Sequence, residues 1–425
     1  MEPVTAVMVG AGHRGFFGYG PYAQHHPDEL RFLAVADPIS ARRDRFGMAH
    51  DIPPERRFAH WEELFARAPV AQACFVTTPD RDHHGAALAA MEAGHQVLLE
   101  KPLAPTLSET VDLVQASERM GRKLHVGKVL RYAPFFTTLH QVVASGRLGD
   151  IITVEHRENV AYFHMAHSFV RGNWSNAGRS SPMILAKCCH DFDILVWNLG
   201  RPVGRLQSFG SLIHFRPDQA PEGATARCTD GCPAGPSCPF DARRIYLSGW
   251  TGWPVNTITE DLTPEGIERA LRTGPYGRCV YQSDNDVVDH QTVNMELEDG
   301  ASVVLVMHGH SLEEGRTMRY DGTRATLRGR FGLESSLEVH DHLTGTKEDV
   351  EIPPAAGGHG GGDFGLVRAF LRAVRGEESS LATARQALES HLLAFAAEES
   401  RVSGSVVDME QFRQRALGEP AQAAD

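Results

Sequence analysis

Four short groups of residues in this chain have types and spacings that could do chemistry. The first is V-M-V-G-A-G-H-R-G, with Gly10, Gly12 and Gly15 in the order G-x-G-x-x-G. The second and third are T-T-P-D-R-D-H-H from Thr77 and E-K-P from Glu100 to Pro102. The fourth is M-I-L-A-K-C-C-H-D-F-D-I-L-V-W, Met183 to Trp197. It is apolar like a buried helix, yet it carries Lys187, His190 and Asp193 at steps of three. A helix brings residues three or four apart onto neighbouring positions. Burying three unpaired ionisable groups is costly, so this stripe must face a polar pocket or a matching set of partners.

The glycine group reads as a dinucleotide site. An apolar strand precedes it, and a second strand, F-L-A-V-A-D, ends in Asp37, where an acid would bond the adenosine ribose hydroxyls. Gly10 suits the tight turn, Gly12 the approach of the pyrophosphate and Gly15 the close packing of helix on strand. The helix N-terminus would face the phosphates. The plainer alternative is a glycine-rich turn with Asp37 as a strand-end cap. A carboxylate at Asp37 would repel a 2′-phosphate, which favours NAD over NADP. Arg42 and Arg43 lie close behind and would serve NADP, or else are solvated helix residues. His13, Arg14, Thr78, Pro79, His83, Glu100 and Lys101 complete the expected cofactor contacts.

These groups need a scaffold. A-C-F-V-T-T (73–78), Q-V-L-L-E (96–100) and K-L-H-V-G-K (123–128) read as buried strands, with a helix ending at Gly94 between the first two. Alternation of strands and helices predicts a doubly wound parallel sheet with ligands beyond the strand ends. The two polar motifs lie at such ends. Further on, a helix ending near Gly146, a strand at 151–159 and an aromatic and histidine-rich loop precede the Met183 helix. From Val287 several short, turn-bounded strands predict an antiparallel sheet. G-G-H-G-G-G-D from Gly357 reads as a hinge-like loop before two helices. The fold class is thus α/β, a Rossmann sheet followed by an α+β domain with an open, mostly antiparallel sheet. The expected divisions are 1–127, 128–356 with an insert at about 216–280, C-terminal helices at 357–417, and a frayed tail at 418–425.

The run T-T-P-D-R-D-H-H-G-A-A-L-A-A-M-E-A-G-H-Q-V-L-L-E-K-P-L-A resembles the signature of the glucose–fructose oxidoreductase / inositol dehydrogenase family, Gfo/Idh/MocA. The resemblance implies an open-sheet second domain, places Lys101 beside the nicotinamide and the substrate hydroxyl, and makes His190 the acid/base, with Asp193 orienting it or binding substrate. One departure stands out. Many members carry an aspartate four residues before that histidine, whereas this chain has Ala186 followed by Lys187. Lys187 then becomes a substrate-contact candidate. Oxidising a carbinol removes a proton from oxygen and a hydride from carbon. A histidine, with a reference pKa of about 6.5, can take the proton, and a lysine can steady the developing alkoxide.

Segments expected to line the pocket hold Lys128, Arg131, His164, His167, Arg171 and Lys187, with Tyr132, Tyr162 and Trp174 between them. Two readings stand. A true local excess of positive charge implies an acidic sugar. Alternatively these groups face solvent or pair with acids such as Glu155 and Glu158. In the insert, Cys228, Cys232 and Cys238 are followed by Cys279. Four thiolates could hold a structural zinc, but the spacing is looser than a zinc knuckle, and reduced thiols in a Pro/Gly-rich loop are preferred.

The 425 residues suggest two or three domains, and a formal net charge of −12 opposes nucleic acid and anionic membranes. No apolar run is long enough to span a bilayer. The strand beginning near Thr5 leaves no room for a signal peptide, and seven cysteines, two of them adjacent, do not form a secreted disulfide pattern. The expectation is a cytoplasmic NAD-dependent oxidoreductase acting on a sugar, cyclitol or glycoside. A homodimer or homotetramer is implied by resemblance only. The rivals are a redox-neutral, NAD-dependent glycosidase of the same fold and a non-catalytic dinucleotide sensor. A sensor needs no acid/base pair.

Overall fold

The structure, a computed structural model, describes residues 2–69, 71–355, 357–377 and 382–418. The tail expected to fray lies outside the described residues from 419 onward. Six short strands form a parallel sheet: β1 (Val4–Val9), β2 (Leu30–Ala36), β3 (Arg57–Phe58), β4 (Ala73–Val76), β5 (Gln96–Leu99) and β6 (Leu124–Val126), in the order β3-β2-β1-β4-β5-β6. The order reverses between β1 and β4, which opens a crevice beyond their carboxyl ends. β4 is buried at every position, as a strand covered by helices on both faces must be.

The second sheet has nine strands. They are β7 (Ile151–Ala161), β8 (Val203–Ser211), β9 (His290–Leu297), β10 (Ser302–Ser311), β11 (Gly315–Gly322), β12 (Ala325–Phe331), β13 (Ser336–Asp341), β14 (Lys347–Asp349) and β15 (Val407–Asp408). Only β7 and β10 pair in parallel; the other neighbours are antiparallel. β9 and β11 alternate buried and less buried residues, the period of a strand with one covered face. The covering helices include Met183–Leu199 and Ala384–Ser403.

Three local features differ from the sequence-based expectation. The stretch expected to be a loop after β7 is helical, Tyr162–His164 running into a π-wound turn at Met165–Arg171. All seven residues of that turn are buried, so their amides need internal partners. A further helix, Met409–Leu417, closes the chain. The C-terminal helices, expected as part of the second domain, also pack on the first. Val126 N–H donates to Ala382 O at 3.1 Å, so the returning chain docks on the edge of the first sheet. The insert has its own small core of Cys228, Ala242, Tyr246, Val255, Ile267 and Leu271. Among the described residues, no helix is long and apolar enough to cross a membrane.

The turn after β1 fixes the crevice. Gly10 has φ +92°, and a Cβ there would lie 2.7 Å from the backbone carbon of Thr77 at the end of β4. Gly10→Ala is therefore expected to cost about 1–3 kcal/mol and lower the midpoint of thermal unfolding. Gly121→Ala, at φ +59° with nothing within 4 Å, is the control. It should cost less in the same melting experiment, since it adds backbone strain without a clash.

Candidate active site

The crevice suits a dinucleotide on several counts. A Cβ on Gly12 would meet only the Arg42 guanidinium, at 3.8 Å, so the backbone is open there. A Cβ on Gly15 would strike Gly10 O at 2.2 Å, so this position must stay bare for helix and strand to pack. Asp37 lies just past β2. Its carboxylate accepts Ala11 N–H at 2.8 Å and Ile39 N–H at 2.8 Å, which brings it to the glycine turn. Thr78, beside Pro79 at the end of β4, has a buried hydroxyl oxygen with no partner among the described residues. His13 follows Gly12 and is pushed down to about 4, first by burial and then by the Arg14 charge.

Three candidates for cofactor contact, Arg14, Glu100 and His83, also hold the crevice together. Arg14 donates to Glu100 at 2.7 Å and grips Asp363 at 3.0 and 3.2 Å. Glu100 also accepts Tyr19 O–H at 2.6 Å and Lys101 N–H at 3.1 Å. Burial alone would raise the Glu100 carboxyl, but Arg14 and Tyr19 outweigh it and hold it below the usual range. His83 lies 2.7 Å from Pro102 O and 3.0 Å from Thr78 O, so it ties the two strand-end motifs to each other. These bonds fix the position from which Lys101 leaves the sheet.

Lys101 reaches across to the Met183–Leu199 helix, where its Nζ donates to Ala186 O at 2.8 Å. His190 lies one turn further along that helix and is 7% exposed. Its basicity is held well below the ordinary value, first by burial and then by the ammonium charges of Lys101 and Lys128. The imidazole is therefore neutral, and its Nδ1 has no partner among the described residues. A neutral imidazole can accept a proton. An ammonium with one of its three N–H groups committed keeps two for a substrate oxygen.

The rest of the helix corrects the expectation of one functional stripe. Each step of three falls about 60° short of a full turn, so Lys187, His190 and Asp193 fan out toward three surroundings. Lys187 faces the second sheet, 2.7 Å from Glu314 and 3.2 Å from Glu158. Burial would lower its basicity, but these two carboxylates more than offset that and keep it charged. Asp193 does not orient His190. It accepts a two-pronged pair from Arg131 at 2.7 and 2.8 Å. Lys187, Arg131 and Asp193 each already have partners within the protein.

Other expected substrate contacts are also spoken for. Lys128 is fully buried and donates to Cys189 O and Ser390 Oγ at 2.8 and 3.0 Å. Arg171 is buried in the insert's base, donating to Arg278 O and Phe240 O, both at 2.7 Å. His167 bonds Tyr246 at 2.8 Å and Thr257 at 3.1 Å and is held down to about 3 by burial. Trp174 donates to Asp80 at 2.9 Å, joining the T-T-P-D loop to the second domain. Tyr132 packs on Gly365, and Tyr162 sits edge-on to Phe163 and Phe240. His164 lies 3.0 Å from Glu314. Lys187 and Arg131 are thus paired with carboxylates, whereas Lys128 and Arg171 donate to neutral oxygens, and Arg171 Nη1 has no hydrogen-bond partner among the described residues. Arg43 donates to Asp37 O at 2.7 Å, and Arg42 donates to Glu260 at 2.9 Å.

The four insert cysteines do gather round one cavity of about 20 Å³, and all seven cysteines are free thiols. Arg171 stands 3.6 Å from Cys228 Sγ, already a positive charge beside the sulfurs. Among the described residues no group of three or more His, Cys, Asp or Glu is arranged to hold a metal ion, so the zinc expectation has no support in the geometry.

Several residues that matter were not found by sequence reasoning. Asp191 bonds His156 at 2.7 Å and Arg316 at 2.7 Å, and Arg316 reaches Glu158 at 2.6 Å. Tyr19, Asp363, Glu314 and Glu260 are equally long-range partners. The only sequence signal was the excess of charge in apolar segments. Lys187→Met would leave Glu158 buried without one of its two cations, and should destabilise the protein by about 3 kcal/mol or more. Chemical denaturation would measure this as a lower midpoint at unchanged slope.

Comparison with known proteins agrees with this architecture. Residues 4–128 match the family model described as oxidoreductase family, NAD-binding Rossmann fold, and residues 140–409 match that of its C-terminal alpha/beta domain. A putative oxidoreductase of Bacillus subtilis, YteT, is 24% identical over 79% of this chain and 80% of its own length. An inositol 2-dehydrogenase of Streptomyces avermitilis is 30% identical over 51% of this chain and 58% of its own length. An inositol dehydrogenase homolog of Azotobacter vinelandii, solved with NAD+, superposes with a TM-score of 0.70 at 18% identity, covering 96% of this chain and 97% of its own. With both family models matched across nearly all of its length, this chain belongs to the Gfo/Idh/MocA oxidoreductase family.

Proposed function

We propose that this protein is an NAD-dependent oxidoreductase that oxidises a carbinol of a neutral polyol, cyclitol or sugar. The observation that carries the reading is the meeting of Lys101 and a neutral, buried His190 at the crevice beyond the first sheet. When bound, NAD supplies the hydride acceptor. His190 takes the hydroxyl proton as the carbon loses its hydride. Lys101, anchored on Ala186 O, donates to the same oxygen and stabilises the charge that develops there. The neutral choice rests on the pairing of Lys187 and Arg131 with carboxylates. NAD is favoured over NADP because Asp37 stands at the end of β2.

Lys101→Ala and His190→Ala should each lower turnover by about a hundredfold or more, with NAD+ binding by calorimetry nearly unchanged. Near-normal turnover in His190→Ala would overturn the acid/base role. Because His190 is already neutral, kcat/KM should show no acidic limb from it between about pH 6 and 8. A limb near the ordinary histidine value that vanishes in His190→Ala would contradict the burial argument.

Substrate class is tested by offering NAD+ with neutral polyols, cyclitols and sugars, the matching uronates, and aryl glycosides. Reduced cofactor should accumulate with the neutral carbinols. Faster reaction of uronates would overturn the neutral-pocket reading. NAD+-dependent release of aglycone without net reduced cofactor would replace the dehydrogenase by the redox-neutral glycosidase.

A further inference from the structure

The cysteine-containing insert reaches the first domain beside the glycine turn. The helix Ser40–Ala49, which follows Asp37, carries Arg42, Arg43 and Arg45. These guanidinium groups follow Asp37 within eight residues, and each is engaged. Arg43 donates to the backbone oxygen of Asp37 at 2.7 Å. One carboxylate, Glu260, takes the other two: Arg42 on one oxygen at 2.9 Å and Arg45 on the other at 2.6 Å. Glu260 belongs to the insert, 218 residues from Arg42. The Arg42 guanidinium stands 3.8 Å from where a Gly12 Cβ would lie, so it is beside the turn itself. Glu260, Arg45, Phe17 and Trp250 line a cleft of about 340 Å³ between insert and first domain.

We infer that Glu260 is a specificity-determining residue for the cofactor: by holding Arg42 and Arg45, it keeps the crevice from accepting a 2′-phosphate. NAD and NADP differ only in that phosphate. A site that takes NADP needs a cation near the ribose, and arginine suits a phosphate because it offers paired donors in a plane. This chain has the arginines in place but commits them. Asp37 alone is a weaker barrier than its position suggests, since its carboxylate already accepts two backbone N–H groups, from Ala11 and Ile39. Glu260 adds a second negative charge on the same side and removes the free guanidinium groups. The three side chains are about 30% exposed, so the cluster contributes little to stability and a substitution at Glu260 leaves the fold intact.

The inference rests on the NAD reading above, and the test separates the two. Full-length protein freed of cofactor is titrated calorimetrically with NAD+ and with NADP+, as wild type, Glu260→Gln, and Glu260→Gln with Arg42→Ala. Releasing the arginines should tighten NADP+ binding by about tenfold or more, the worth of a charge-assisted contact, while NAD+ stays within about threefold. The added Arg42→Ala should abolish most of that gain. Unchanged NADP+ affinity in Glu260→Gln, or equal shifts for both cofactors, would overturn the inference, the latter meaning that Glu260 only closes the insert on the domain. Tighter NADP+ than NAD+ binding by the wild type would overturn the NAD reading instead.

Discussion

One guanidinium holds the working part of this protein in register. Arg14 sits directly after the glycine turn, yet its partners are Glu100 at the end of β5 and Asp363 at the start of a helix in the second domain. Tyr19 shares the Glu100 carboxylate. Glu100 precedes Lys101, so the pair that anchors the turn also sets where the lysine leaves the sheet. A buried carboxylate is tolerated only because a cation and a hydroxyl meet it. Removing any member would leave the others uncompensated where water cannot replace it.

The helix Met183–Leu199 works by the same rule. It buries Asp191 and Asp193 completely or nearly so, each matched by an arginine from a different part of the chain, Arg316 and Arg131. Just before them His190 is buried without such a match, and it stays neutral. The contrast sets the histidine apart from its neighbours. Paired charges lock the helix between the two sheets, and the unpaired imidazole is the group left able to exchange a proton. Lys101, from the other domain, reaches the same helix through the Ala186 carbonyl, so the site exists only where the two domains meet.

The insert shows how a loop-rich segment can act at a distance. Its cysteines surround a small cavity next to Arg171, and its helices make a separate core. Its contact with the first domain is polar and partly exposed, through Glu260. Such a contact adds little to stability, but it can alter which charges the crevice presents.

Much of the frame was legible in the sequence. The glycine spacing, Asp37 after an apolar strand, and the alternation of strands and helices marked the first domain, because period and turn chemistry are local properties. The E-K-P group and the histidine of the Met183–Trp197 stretch made Lys101 and His190 candidates by resemblance. What each charged residue does was decided only by the tertiary structure. Lys128, Arg131, Arg171 and Lys187 could be read as an open cationic pocket or as paired charges, and partners such as Asp193 and Glu314 lie far along the chain from the groups they meet. A sequence states that a charge is present. Whether that charge is bound or available depends on a partner brought within about 3 Å by folding, and no local pattern encodes that distance.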